Sequence, residues 1–173
     1  LSEVKESVHF ISDSVSKQTI SKIRKNAPNI VLYETADLQI SELFKSIEEE
    51  KIDHITNEKI NSQLIKENCA SVNLSRSDVE DFYYGLSNKT LWPLFHYFTE
   101  FSTFDNNQWE SYKKVNQKFA DVVISKLSDG DRVWIHDYQL MLLPSMIRKM
   151  NPNVTIGFFL HIPFPSYEIF RIL

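Results

Sequence analysis

The sequence holds only three glycines, Gly85, Gly130 and Gly157, and one cysteine, Cys69. Glycines this far apart cannot write a GxGxxG turn or a GxxxxGK[ST] loop, so no glycine-rich phosphate cradle is encoded. Any phosphate has to be held by side chains, by helix N-termini or by residues outside the chain. A lone cysteine excludes an internal disulfide and fits a reducing compartment, which makes a cytoplasmic location the expectation. No apolar run is long enough to span a bilayer, and the first residues carry no signal-peptide pattern. Basic residues are not in excess: the net charge is −4. That balance argues against a general nucleic-acid or membrane-surface binder. Internal repeats and low-complexity tracts are also missing.

What remains is a folded domain. Hydrophobic residues make up 42% of the 173 and charged residues 24%, the balance of a globular chain with a real core. The most informative stretch is Val133–Leu173, which reads as strand, helix, strand and the start of a helix. Val133–Ile135 is a short apolar run fed by the turn Ser128-Asp129-Gly130-Asp131. Gln139–Met150 carries Leu140, Leu143, Met146, Ile147 and Met150 at helical spacing, with Pro144 near enough to the start to be tolerated. Asn151-Pro152 ends that helix. Thr155–Leu160 is a β-branched and aromatic strand, and Ser166 is an N-cap with Glu168 in the following turn.

A strand–helix–strand unit of this length makes two parallel strands by a right-handed crossover. Each strand breaks into polar residues at its carboxyl end: His136-Asp137-Tyr138 after the first, His161 after the second. Open α/β sheets bind ligands in the crevice outside that edge. Asp137 and His161 are therefore expected to line one pocket, although Asp137 could equally cap the helix that follows it. His136 is expected to hold the loop by hydrogen bonds.

The rest of the chain alternates. Leu1–Arg24 shows scattered helical spacing, Asn29–Tyr33 suits a short strand, and a helix is predicted over Ile40–Lys51. Ala70–Leu74 suits a strand. Ser77-Asp78-Val79-Glu80 matches a capping box that opens a helix carrying Val79, Phe82, Tyr83 and Leu86 and ending near Gly85. Asn88 and Thr90 suit a turn or a new N-cap, with Pro93 in the next helical turn. Phe104–Leu127 is an amphipathic helix with Trp109, Tyr112, Phe119 and Val122 on its apolar face. The predicted class is α/β, a Rossmann-like three-layer sandwich with a mainly parallel sheet. The pattern stops a few residues into the helix opened by Ser166, so the chain is expected to be a piece of a longer polypeptide.

Four stretches coincide with one family: DFYYGLSNKTLWPLFHY (81–97), WESYKKVNQKFADVV (109–123), VWIHDYQLMLLPSMIR (133–148) and IGFFLHIPFPSYEIFR (156–171). Together, over residues 67–173, they resemble the N-terminal half of trehalose-6-phosphate synthase, a retaining glycosyltransferase of two Rossmann-like domains (the GT-B arrangement). The resemblance implies that residues 1–173 are one incomplete acceptor-binding domain. It implies glucose 6-phosphate as acceptor, UDP-glucose as donor co-substrate bound by a missing C-terminal domain, and no cofactor or metal. A homo-oligomer is compatible with it. Position by position, the family's acceptor-site tyrosine and tryptophan fall on Tyr83 and Trp92. The carboxylate of its HDY motif falls on Asp137, and the histidine of its HIPFP motif on His161. These residue types suit a sugar: aromatic faces pack against its apolar side, while a carboxylate and an imidazole meet its hydroxyls and developing charge.

The sequence departs from the family in places. Gln139 stands where many members carry a second histidine, and glutamine cannot titrate. Tyr84 and Leu86 replace a frequent asparagine and phenylalanine. The family's opening strand with its Gly-Gly phosphate loop is not recognisable, and Lys51–Ile60 does not match its WVGWPG-like segment. A non-catalytic, synthase-like regulatory or scaffold domain is therefore the alternative. A metal hydrolase built on His136, Asp137 and His161 is a weaker third reading, because their spacing matches no tight ligand motif.

Overall fold

The computed structural model describes residues 8–11, 30–35 and 69–173. Five strands form one parallel sheet: β1 (Val8–Ile11), β2 (Ile30–Thr35), β3 (Cys69–Val72), β4 (Arg132–His136) and β5 (Thr155–Phe159). Their order is β3-β2-β1-β4-β5, every neighbouring pair parallel. The order reverses between β1 and β4, the switch point where doubly wound sheets open a crevice. The expected Rossmann-like parallel α/β class is the observed one. The strands predicted over 29–33, 70–74, 133–135 and 155–160 all form, with bounds shifted by a residue or two. The helix predicted over 40–51 lies outside the described residues.

The N-terminal expectation is corrected. Val8–Ile11 was read within a stretch of helical spacing, yet it is the central strand, paired with both β2 and β4. Four residues are too few for periodicity to separate a strand from part of a helix.

A second correction concerns residues 76–95. The capping box sits two residues earlier than predicted: Ser75 accepts from Asp78 N–H at 3.1 Å, and the Asp78 carboxylate accepts from Ser75 N–H at 3.0 Å. Asp78 is then buried against the helix over Asn106–Ile124, where Lys114 and Lys118 donate to its two carboxylate oxygens at 2.7 and 2.6 Å. The chain does not turn at Asn88–Thr90. It runs on from α1 (Arg76–Val79) through a π-helical stretch, Glu80–Leu91, into α2 (Trp92–Phe95). Partners from elsewhere hold the predicted turn residues in the helix: Thr90 Oγ1 donates to Thr103 O, and Asn88 Oδ1 accepts from the Tyr138 hydroxyl at 3.1 Å.

Helix α3 (Asn106–Ile124), capped by Asp105, carries Tyr112, Val115, Phe119 and Val123 into the core. There they meet Phe82, Leu94 and Phe95 from the preceding helical run and Val133 and Ile135 from β4. The helix predicted from Gln139 starts later. Tyr138–Leu140 is a single 3-10 turn, and α4 runs Leu143–Met150 with Pro144 in its first turn. α4 packs Leu143 and Ile147 on the same core, and Asn151-Pro152 ends it as expected. Ser166 opens the short α5 (Tyr167–Phe170).

Candidate active site

The site is built where β4 and β5 end. Their register pairs His136 with Phe159, so the residues just beyond each strand are neighbours. Asp137 N–H donates to Phe159 O at 2.8 Å and extends the ladder by one bond. To do so, Asp137 takes φ 73° and ψ 169°, a region that belongs almost wholly to glycine. A side chain kept there at a cost is a pointer to function. The turn that follows drops Tyr138, Gln139 and Leu140 into the interior.

The Asp137 carboxylate faces both strand ends. Its Oδ1 accepts Tyr138 N–H at 3.0 Å and, more loosely, His161 N–H at 3.4 Å. No hydrogen bond to Oδ2 is made among the described residues. Asp137 thus caps the turn, one of the two sequence expectations for it, and stays half-exposed beside His161. His161 is exposed on the same rim. Its Nε2 lies 2.8 Å from Nδ1 of the buried His136, with the two rings stacked at 5.0 Å between centroids. Burial, and then the nearby His161, push the His136 pKa down to about 4, against a smaller opposing pull from Asp137. His136 is therefore a neutral imidazole at physiological pH.

The relative direction of Tyr83 and Trp92 is set by the π winding. Nine residues apart, they would point to opposite sides of an α-helix. At roughly 4.4 residues per turn they return to nearly the same side. Asn88 falls on that side between them and binds the Tyr138 hydroxyl, directly after Asp137. Tyr83 is half-buried with its ring edge against Tyr84, and Trp92 is 41% exposed and stacked on His96 at 4.2 Å. Neither aromatic is sealed in the core. The sequence offers His136 as a loop holder, or as a ligand in the weak metal-hydrolase reading, and Asn88 as a turn or N-cap residue. Their contacts to His161 and Tyr138 cross 25 and 50 residues, which local pattern cannot show.

A separate apolar cleft of about 290 Å³ lies between the π-helical stretch, the start of α3 and α5, lined by Leu86, Thr90, Trp109, Met141 and Phe170 among others. None of the four predicted site residues lines it. Among the described residues, no group of three or more His, Cys, Asp or Glu is arranged to hold a metal. No described helix is long and apolar enough to cross a membrane.

The sequence signature of glycosyltransferase family 20 matches residues 3–173. The chain belongs to this family. Relatives in it include a UDP-forming α,α-trehalose-phosphate synthase of Candida albicans, 48% identical over 120 residues, covering 66% of this chain and 25% of that protein. Another, from Emericella nidulans, is 56% identical over 95 residues, covering 53% and 19%. Among solved structures, a UDP-forming α,α-trehalose-phosphate synthase from Burkholderia xenovorans superposes with a TM-score of 0.73 at 27% identity, over 98% of this chain and 35% of that one. An E. coli structure described as bound with UDP-2-fluoro glucose gives 0.71 at 30% identity, over 97% and 36%. The chain thus spans a quarter or less of these curated relatives and about a third of the solved family-20 chains.

Proposed function

We propose that this chain is the acceptor-binding part of a UDP-forming α,α-trehalose-phosphate synthase. In this reading residues 1–173 belong to the N-terminal domain of a GT-B pair, and a second Rossmann-like domain supplies the donor site. Glucose passes from UDP-glucose to the anomeric hydroxyl of glucose 6-phosphate, with retention and release of UDP. Tyr83 and Trp92 pack the acceptor sugar, Asp137 accepts from its hydroxyls through Oδ2, and His161 hydrogen-bonds near the anomeric centre. No protein nucleophile is assigned. One Burkholderia xenovorans relative, 25% identical with a TM-score of 0.68, is described as a complex with glucose-6-phosphate, which supports the choice of acceptor. A cytoplasmic setting belongs to the same proposal and agrees with the single cysteine.

The observation that carries this proposal is the closeness of Asp137 and His161 at the carboxyl ends of two paired parallel strands. The experiment is UDP release from UDP-glucose, with and without glucose 6-phosphate, by a polypeptide carrying this chain and a donor domain. Release that depends on the acceptor and is lost in Asp137→Ala supports the reading. No release from a folded protein overturns it in favour of the non-catalytic alternative, for which the replacement of histidine by the buried Gln139 speaks.

A further inference from the structure

His136 is largely withdrawn from solvent: it is the last residue of β4 and 6% exposed. Yet its Nδ1 is 2.8 Å from Nε2 of His161, the exposed imidazole of the candidate site. We propose that His136 is the positioning residue for His161, holding its ring plane and tautomer so that only the Nδ1 edge of His161 meets the substrate.

The argument is one of proton counting. Two imidazole nitrogens at this distance share one hydrogen, so one ring donates and the other accepts. Two facing N–H groups would repel, so the pair does not carry a charge on both rings. Other groups that face His136 among the described residues include the Asp137 carboxylate beside it and the aromatic rings of Trp134 and Phe159. His136 itself is fixed by strand register and packing, whereas His161 lies beyond β5, where no ladder bond holds its ring. The hydrogen bond and the ring stacking orient the His161 ring, while the Asp137 contact to His161 N–H holds its backbone. With Nε2 engaged, a single nitrogen remains to face a hydroxyl. Which tautomer that nitrogen belongs to follows from the bond to His136. This deepens the transferase proposal, but its first test does not depend on it.

That test is histidine ¹⁵N NMR of the full chain at pH 7.5, with His136→Phe and His136→Asn. Phenylalanine keeps the ring shape without a hydrogen bond, and asparagine keeps a polar group where Nδ1 lies. His161 is expected in one dominant tautomer in the parent and in His136→Asn, and in the tautomer mixture of a free imidazole in His136→Phe. Equal His161 populations in all three would overturn the proposal. If His136→Phe does not fold, the parent alone decides: a scalar coupling across the Nδ1–Nε2 bond supports the pairing, and mixed tautomers for His161 overturn it. In the transferase, His136→Phe should lower kcat/KM on the order of tenfold or more, mainly through kcat, with partial rescue by His136→Asn. A loss confined to thermal stability, with unchanged kinetics, would also overturn it.

Discussion

The Tyr112 hydroxyl donates to the carbonyl oxygen of Tyr138 at 2.5 Å and accepts the amide of Met141 at 3.2 Å. One buried side chain from the middle of α3 thereby satisfies both sides of the turn that carries Asp137. Burial pushes the Tyr112 pKa well above the ordinary phenol range, so the hydroxyl stays a donor at every pH where the fold persists. Tyr112→Phe takes a donor from a buried carbonyl and an acceptor from a partly buried amide. It should cost about 1–3 kcal/mol in urea unfolding. In the transferase it should also raise KM for glucose 6-phosphate, because the turn loosens next to Asp137. Unchanged stability would mean that water replaces the phenol.

The backbone at Asp137 makes a sharper prediction. At φ 73° any residue with a Cβ is strained, and glycine is not. Asp137→Gly should therefore be more stable than Asp137→Ala, by about 1 kcal/mol or more, while both lose transfer activity. Asp137→Asn should keep the Oδ1 bonds to Tyr138 and His161 and stay near parental stability, yet remain strongly impaired. If alanine proves as stable as glycine, the strained geometry is not that of the protein in solution.

Acid should act in two steps. The folded pKa of His136 lies near 4 against an ordinary 6.5, so the unfolded chain takes up this proton first. As pH falls from about 6.5 to 4, the unfolded state binds more protons and stability declines, by roughly 2–3 kcal/mol at most. Asp78 acts lower. Burial alone would raise its pKa, but hydrogen bonds from Lys114, Lys118 and Ser75 outweigh burial and hold it well below the carboxylate range. Its contribution is present above about pH 4 and is lost as pH falls further. Chemical denaturation between pH 7 and 4 checks the first step, and His136→Asn should flatten it.

Asp78 also clips the start of the helical run onto α3. Asp78→Ala removes the partner of two lysines and a cap at once. Because Lys114 is 60% and Lys118 33% exposed, both can turn to water, so the loss should be about 1–3 kcal/mol rather than that of a fully buried pair. Asp78→Asn should recover the cap and part of that loss in the same thermal or urea melt.

The parallel class and the β4–α4–β5 unit were legible because each element there is bounded by its own local signals: Gly130, Pro144 and Asn151-Pro152. Asp137 and His161 could be placed on one sheet edge for the same reason, since a parallel crossover aligns the two strand ends. The opening strand was not legible, because Val8–Ile11 is short and takes its conformation from β2 and β4. The run through residues 80–91 departs from its local signals for a related cause. Gly85, Asn88 and Thr90 are turn formers by local preference, and Tyr138 and Thr103 outbid that preference from far along the chain. The His136–His161 bond belongs to this second kind, a contact that exists only once the strands are side by side.

The π winding of Glu80–Leu91 also makes that stretch sensitive to its length in a way that its composition does not reveal. Deleting one residue between Tyr83 and Trp92 would swing the indole by roughly 80° relative to the phenol, a quarter of the way around the axis. Exchanging an outward side chain such as Lys89 would leave both rings where they are. Working versions of this segment should therefore differ freely in which residues they carry there and hardly at all in how many.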